Sequence, residues 1–338
     1  MRDAFEKGKE YVEFYKDFFE EISVNFIEKA KFYSSSRTRT IITLLYRLKG
    51  MLFHLEDQNG ITGEIAKKFS SYEAKDYLEL QKNPNVRMYG MSDDLLFLSF
   101  YNCYKTVSSE LFKTEKYLNL QEELETFKRN NYELLKPFLE FNAKFGLTLV
   151  DQFLYISDFL ERAPDVDIDL DENHRKLKNM IPRMYFRTIK AISFSKNIVR
   201  LLSSKFFYVL RKNILKAVNA VRSSKTTESN SNNHKNLLMF SGHDLNLVCI
   251  LSFLNVDISN LNFEFNSEVT FELFEDLHNQ FPSSFYITLK FEGKPIPLEF
   301  CNYNINCDLK SFQTFLEENI LSHQEVNDYC QGKKKMDL

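Results

Sequence analysis

Leu237 to Leu247 reads LLMFSGHDLNL, and its interpretation decides the fold class. Four apolar residues in a row, Leu237 to Phe240, are too short a run for a helix and match a strand buried in a parallel sheet. Ser241-Gly242 supplies a turn, and the apolar spacing beyond it predicts a helix over about Leu245 to Leu254. The polar run Ser223 to Lys235 (SSKTTESNSNNHK) just upstream has too little apolar surface to pack and reads as an exposed loop.

The same strand, turn and helix grammar occurs near the start. Lys31 to Ser34 (KFYS) is short and β-prone, Ser34, Ser35 and Ser36 offer an N-cap, and a helix is predicted over about Thr38 to Phe53. Before it, Ala4 to Val24 carries Tyr11, Phe14, Tyr15, Phe18 and Ile22 at helical spacing, an amphipathic helix with one core face. From about Leu55 to Arg200 the pattern is mostly helical without persistent strand alternation, broken at Gly60, Pro84, Gly146, Ala163-Pro164 and Pro182. Another helix is predicted over about Val199 to Val221. In the last third, Glu268 to Phe274 (EVTFELF) and Phe285 to Phe291 (FYITLKF) alternate with period two and are joined by His278 to Ser284 (HNQFPSS), which predicts a hairpin.

Composition narrows the class. The 338 residues are 43% apolar and 27% charged, the profile of a folded domain or two. With 44 basic against 47 acidic side chains the net charge is −3, so no polybasic footprint points to nucleic acid or an anionic membrane. No apolar run approaches the roughly 20 residues of a membrane span. The N-terminal helix has neither the apolar stretch nor the cleavage site of a signal peptide, so the chain reads as carrying no secretion address. Nothing in the residues demands a metal or a cofactor.

His243 and Asp244 fall at the carboxyl end of a predicted buried strand and the first turn of a helix, where open α/β sheets bind ligands and unpaired helix N–H groups favour an anion. The histidine could donate a hydrogen bond to a phosphoryl oxygen and the aspartate a proton to a leaving group. The competing reading is a helix cap and a dipole-balancing carboxylate. Arg39-Thr40 holds the equivalent place in the first unit. An arginine there opposes the helix dipole unless an anion sits beside it, although an exposed arginine on a solvated face reads the same way in sequence. Arg37 is assigned to the surface.

These residues carry a resemblance. SSSRTRT at Ser34 to Thr40 resembles the STDxDRT segment of the histidine acid phosphatases, and FSGHDLNL resembles that family's SGHDTTL. Val269 to Phe274 (VTFELF) is similar to the family strand ending in FEL. CNYNINCDL from Cys301, followed by Phe312, is similar to its C-x-C-P-L-x-x-F pattern with Asp308 in place of proline, and Phe5 to Tyr15 is similar to its LTxxGxxQ helix with Gly8 on the glycine. The resemblance spans nearly the whole chain. It departs at Tyr33, where the family often has arginine, and at Ser36 and Thr38, which stand at acidic positions.

The resemblance implies an α/β core from 1–55 and 194–322, a mostly parallel, phosphoglycerate-mutase-like sheet flanked by helices. A mainly helical cap at 56–193 and a C-terminal tail at 323–338 complete it. It implies a phosphomonoesterase acting through a phosphohistidine, with Arg39 and His243 binding the phosphoryl oxygens and Asp244 protonating the leaving alcohol and later activating water. The ligand is a phosphomonoester or phosphate; oligomeric state stays open. The attacking histidine of the family belongs to an RHGxRxP strand, and no Arg-His dipeptide occurs here. His54, His174, His234, His278 and His323 lack that context and read as surface or packing residues. The first central strand is therefore expected to be missing, with unpaired backbone between the Lys31 and Leu237 strands, and the chain is expected to show no turnover.

By the same resemblance Cys103 pairs with Cys330 and Cys301 with Cys307, leaving Cys249 as a free buried thiol. Two disulfides imply an oxidising compartment, hence a secretory, lysosomal or extracellular place for a complete form that has a signal peptide. Two readings stand: a fragment or truncated form of an acid phosphatase, or a complete, non-catalytic phosphate-binding or interaction protein.

Overall fold

In the computed structural model, residues 1–22, 29–35, 37–59, 71, 73, 86–89, 103–143, 149, 152–153, 156–157, 160, 171–172, 175–177, 180–181, 187, 189–224, 236–263, 266–278 and 283–334 are described. The amphipathic N-terminal stretch forms two helices, α1 (Arg2–Phe14) and α2 (Lys16–Ile22), where periodicity predicts one. Tyr15 between them leaves helical dihedrals (φ −105°, ψ 36°), and its hydroxyl donates to Glu272 far along the chain. Such a tertiary bond is invisible to apolar spacing.

β1 (Ala30–Ser35) and α3 (Thr38–Asn59) follow as expected, the helix running six residues past its expected end. Ser34 and Ser35 are the last strand residues and bond to Thr40, so they do not cap α3 as expected; Ser36 lies outside the described residues. α1 lies against α3 at two glycines. A Cβ on Gly8 would fall 2.2 Å from the Arg47 carbonyl oxygen, and one on Gly50 would fall 1.9 Å from the Phe5 carbonyl oxygen. Backbones this close admit no side chain, and the approach buries Val12, Leu44, Leu48 and Met51 between the helices and the strands.

β2 (Val86–Tyr89) corrects the expectation of a strand-free interval before Arg200. Four residues show no usable alternation, and β2 is a strand because it pairs in parallel with β1, Phe32 opposite Val86. Beyond it come α4 (Tyr104–Leu111), α5 (Glu115–Asn130) and α6 (Tyr132–Ala143), the described helices of the expected cap. The breaks read at Gly60, Pro84, Gly146, Ala163-Pro164 and Pro182 lie outside the described residues. After a 3-10 turn at Ala191–Phe194, α7 (Lys196–Ser224) leads to β3 (Leu237–Ser241) and α8 (Asp244–Phe253); residues 225–235 of the expected polar loop lie outside the described residues.

The predicted hairpin is present as β4 (Val269–Glu275) and β5 (Phe285–Phe291), antiparallel with Val269 opposite Phe291. β6 (Lys294–Ile296) and β7 (Asn306–Asp308) also pair with β5, and α9 (Leu309–Asn319) and α10 (His323–Cys330) follow. Asp308, at the position of the expected proline, caps α9 by accepting from the Lys310 and Ser311 amides.

The chain is therefore mixed α/β, with a three-stranded parallel sheet ordered β2–β1–β3 and a four-stranded antiparallel sheet centred on β5. The sheet is thus not mostly parallel among the described residues. The expected break between the Lys31 and Leu237 strands is also corrected: β1 and β3 pair directly, Ala30 opposite Leu237. β3 and β4 are instead the ends of their sheets, and a cleft of about 2470 Å³ lies between them. β3 is consequently less buried than an apolar parallel strand should be, with only Leu237 fully covered.

Both expected disulfides are formed. Cys103 joins Cys330, tying α10 to the start of α4 so that the expected tail is anchored to the helical region, and Cys301 joins Cys307, with Cα separations of 4.2 and 5.3 Å. Cys249 is free and buried, and burial pushes its thiol up to about 12. Among the described residues no helix is long and apolar enough to cross a membrane.

Candidate functional site

β1 and β3 run in parallel, so their carboxyl ends lie side by side, and α3 and α8 start there with their N-termini. Each places a sequence-predicted residue at that end. His243 is the N-cap of α8, its amide donating to Asn246 Oδ1 at 2.8 Å, so the capping reading holds. Arg39, in the first turn of α3, donates through Nη2 to His243 Nδ1 at 3.1 Å. Arg39, His243 and Asp244 line the same cleft.

The ring chemistry follows from the partners. A guanidinium only donates, so Nδ1 accepts; Nε2 then carries the proton and faces Ser35 Oγ at 3.0 Å. His243 is 7% exposed. Burial, then the nearby charges of Arg39 and Arg37, lower its pKa to about 3. The imidazole is therefore neutral throughout the ordinary pH range. Asp244 opens α8, and its Oδ1 accepts from the Leu245 amide at 2.8 Å.

Behind the ring sits a hydroxyl network that the sequence did not reveal as such. Ser35 Oγ lies 2.7 Å from Thr40 Oγ1, Ser34 Oγ donates to Thr40 Oγ1 at 3.2 Å, and Thr40 Oγ1 reaches the Arg37 carbonyl at 2.8 Å. Ser241 Oγ donates to the Thr40 carbonyl at 2.7 Å, which clamps the end of β3 to the start of α3. Ser34, Ser35 and Thr40 are each at most 3% exposed. A run of serines before a helix reads as a cap because local capping is the commonest role of such residues. Their burial beside a histidine 208 positions away has no local signature.

Tyr33 does not face the site. It stacks on Phe240 with ring centroids 4.7 Å apart, as core. Arg37 is exposed, as expected, although its charge reaches His243. His54 lies on α3 and His323 starts α10; His174 and His234 are outside the described residues. Among the described residues no group of three or more His, Cys, Asp or Glu could hold a metal ion. A comparison with known protein families and with curated proteins finds no match for this chain.

Proposed function

We propose that this chain binds the phosphoryl group of a phosphomonoester at Arg39, His243 and Asp244, in the manner of the histidine acid phosphatases, on a phosphoglycerate-mutase-like core. The observation that supports the reading is the meeting of Arg39 and His243 at 3.1 Å where two helix N-termini converge. Helix N–H groups, a guanidinium fork and an imidazole are an oxyanion receptor assembled from three kinds of donor.

The chemistry of such a site divides into steps. An arriving phosphate dianion draws the Arg39 guanidinium from Nδ1 of His243 to its own oxygens. The freed Nδ1, now beside two negative charges, takes up a proton and donates it as a hydrogen bond to a phosphoryl oxygen. Asp244 stands at the leaving-group side, as acid for the departing alcohol. Arg39, His243 and Asp244 provide binding and proton donation but no attacking group, and the family's Arg-His motif does not occur in the 338 residues. The chain alone is a phosphate binder without turnover. Its two disulfides fit a secretory or extracellular setting.

Titration calorimetry of inorganic phosphate into the full chain tests this. Affinity referred to the phosphate dianion, with protonation of the free ligand subtracted, should strengthen between pH 7 and pH 5, because the anion raises the His243 pKa from its low resting value. Arg39→Ala should weaken it at least about tenfold, in line with loss of a charged hydrogen bond. Aryl phosphate hydrolysis near pH 5 should stay at background. Phosphate affinity unchanged in Arg39→Ala would remove the reading.

A further inference from the structure

The cleft between β3 and β4 is bounded by two strand edges, and helices bridge it on both faces. On one face α3 packs against β3, while Arg47 of α3 pairs with Glu268 beside β4 and Tyr15 bonds Glu272 of β4. On the other face Phe206 of α7 contacts Phe240 of β3 (5.2 Å between centroids) and Phe271 of β4 (6.3 Å). One ring touching both strands fixes the two sheets as flanks of a single layer. Among the described residues no strand lies between β3 and β4 in that layer.

We infer that this slot receives one added β-strand, an extended, uncharged and continuously apolar peptide segment of about five to seven residues. Three features select that occupant. Among the described residues β3 pairs only with β1 and β4 only with β5, so each presents one row of backbone N–H and C=O groups to the slot. An apolar small molecule or lipid chain would leave those groups unsatisfied, whereas a strand about 4.8 Å from each neighbour satisfies both rows. The walls then set the side chains. Residues pointing one way meet Phe206, Leu210 and Leu247, and those pointing the other way meet Tyr11, Leu44 and Met239, cleft-lining members of two separate apolar clusters. Strands covered on both faces are continuously apolar rather than alternating. Finally, two carboxylates at β4 are already paired, Glu268 with Arg47 and Glu272 with Lys290 at 2.6 Å, and an uncharged occupant leaves both pairs intact.

The probe is acetyl-Lys-Val-Ile-Val-Ile-Val-Lys-amide added to the full chain, its five central residues the uncharged apolar segment and its end lysines for solubility outside the slot, beside the same peptide N-methylated on alternate amides. Amide hydrogen exchange reads the result strand by strand. The unmethylated peptide should slow exchange at least tenfold at both Leu238–Ser241 and Val269–Leu273, leave Lys294–Ile296 unchanged, and lose its effect on N-methylation. Slowing at only one strand or at neither overturns the inference, as does an equal effect of the methylated peptide, which would show apolar filling without pairing. Protection of both edges in the peptide-free chain, accompanied by dimeric mass in light scattering, overturns it in favour of a second copy. Arg39 and His243 line the same cleft but form no part of the two edges, so phosphate titration of the peptide-free chain tests the phosphate reading separately.

Discussion

Two apolar strands of this chain, FYITLKF in β5 and LLMFS in β3, are covered very differently. β5 pairs with β4 on one edge and with β6 and β7 on the other, and five of its seven residues are buried. Among the described residues β3 pairs with β1 alone, and one of its five residues is buried. Composition does not make the difference, since both are built from large apolar side chains. Neighbours do: β5 has a strand on each side and α9 against it, while β3 has a cleft on one side. The polar chemistry gathers at the less covered strand. His243 leaves its carboxyl end, where burial is deep enough to shift a titration and the residue lines the cleft.

Acid should separate the two regions most. His243 has a folded pKa near 3 against an ordinary value of 6.5, so its contribution to stability is fully present above about pH 6.5 and is lost as pH falls towards 3. The full loss is on the order of 5 kcal/mol. Urea unfolding at pH 7, 5 and 4 should show the decline, His243→Gln should flatten it, and phosphate should oppose it. A variant with the unaltered acid slope would place the sensitivity elsewhere in the molecule.

Truncation of each strand sharpens the contrast. Ile287 of β5 is 1% exposed, and Ile287→Ala should destabilise by about 3 kcal/mol. Leu238 of β3 is half-buried, and Leu238→Ala should cost less than about 1.5 kcal/mol by area removed from water. Equal losses in chemical denaturation would mean that the slot is filled in solution.

The smallest effect concerns the hydroxyl behind the ring. Ser35→Ala leaves the buried Nε2–H of His243 without its partner and should destabilise by about 1 to 2 kcal/mol. The same variant should change the imidazole nitrogen shifts in NMR. Unchanged shifts would mean that Ser35 does not hold the ring.

What could be read in advance depended on how local its cause was. KFYS and LLMF were legible as parallel strands, and EVTFELF with FYITLKF as a hairpin, because length and period two are properties of contiguous residues. Arg39, His243 and Asp244 were legible as candidates because Arg39 follows one strand, β1, and His243 and Asp244 follow another, β3. β2 was not, since Val86–Tyr89 becomes a strand by finding the edge of β1. Ser35 was not, since its partner lies 208 residues away.

The sequence by itself determined that Lys31–Ser34 and Leu237–Phe240 are strands, that Glu268–Phe274 and Phe285–Phe291 form a hairpin, and that Arg39, His243 and Asp244 follow strand ends. Tertiary structure alone decided that β1 and β3 are neighbours, that the open edge falls between β3 and β4, and that the imidazole of His243 is neutral. Strand order and electrostatic environment are sums over groups distant in the chain, and a periodic pattern in one segment carries no record of what packs beside it.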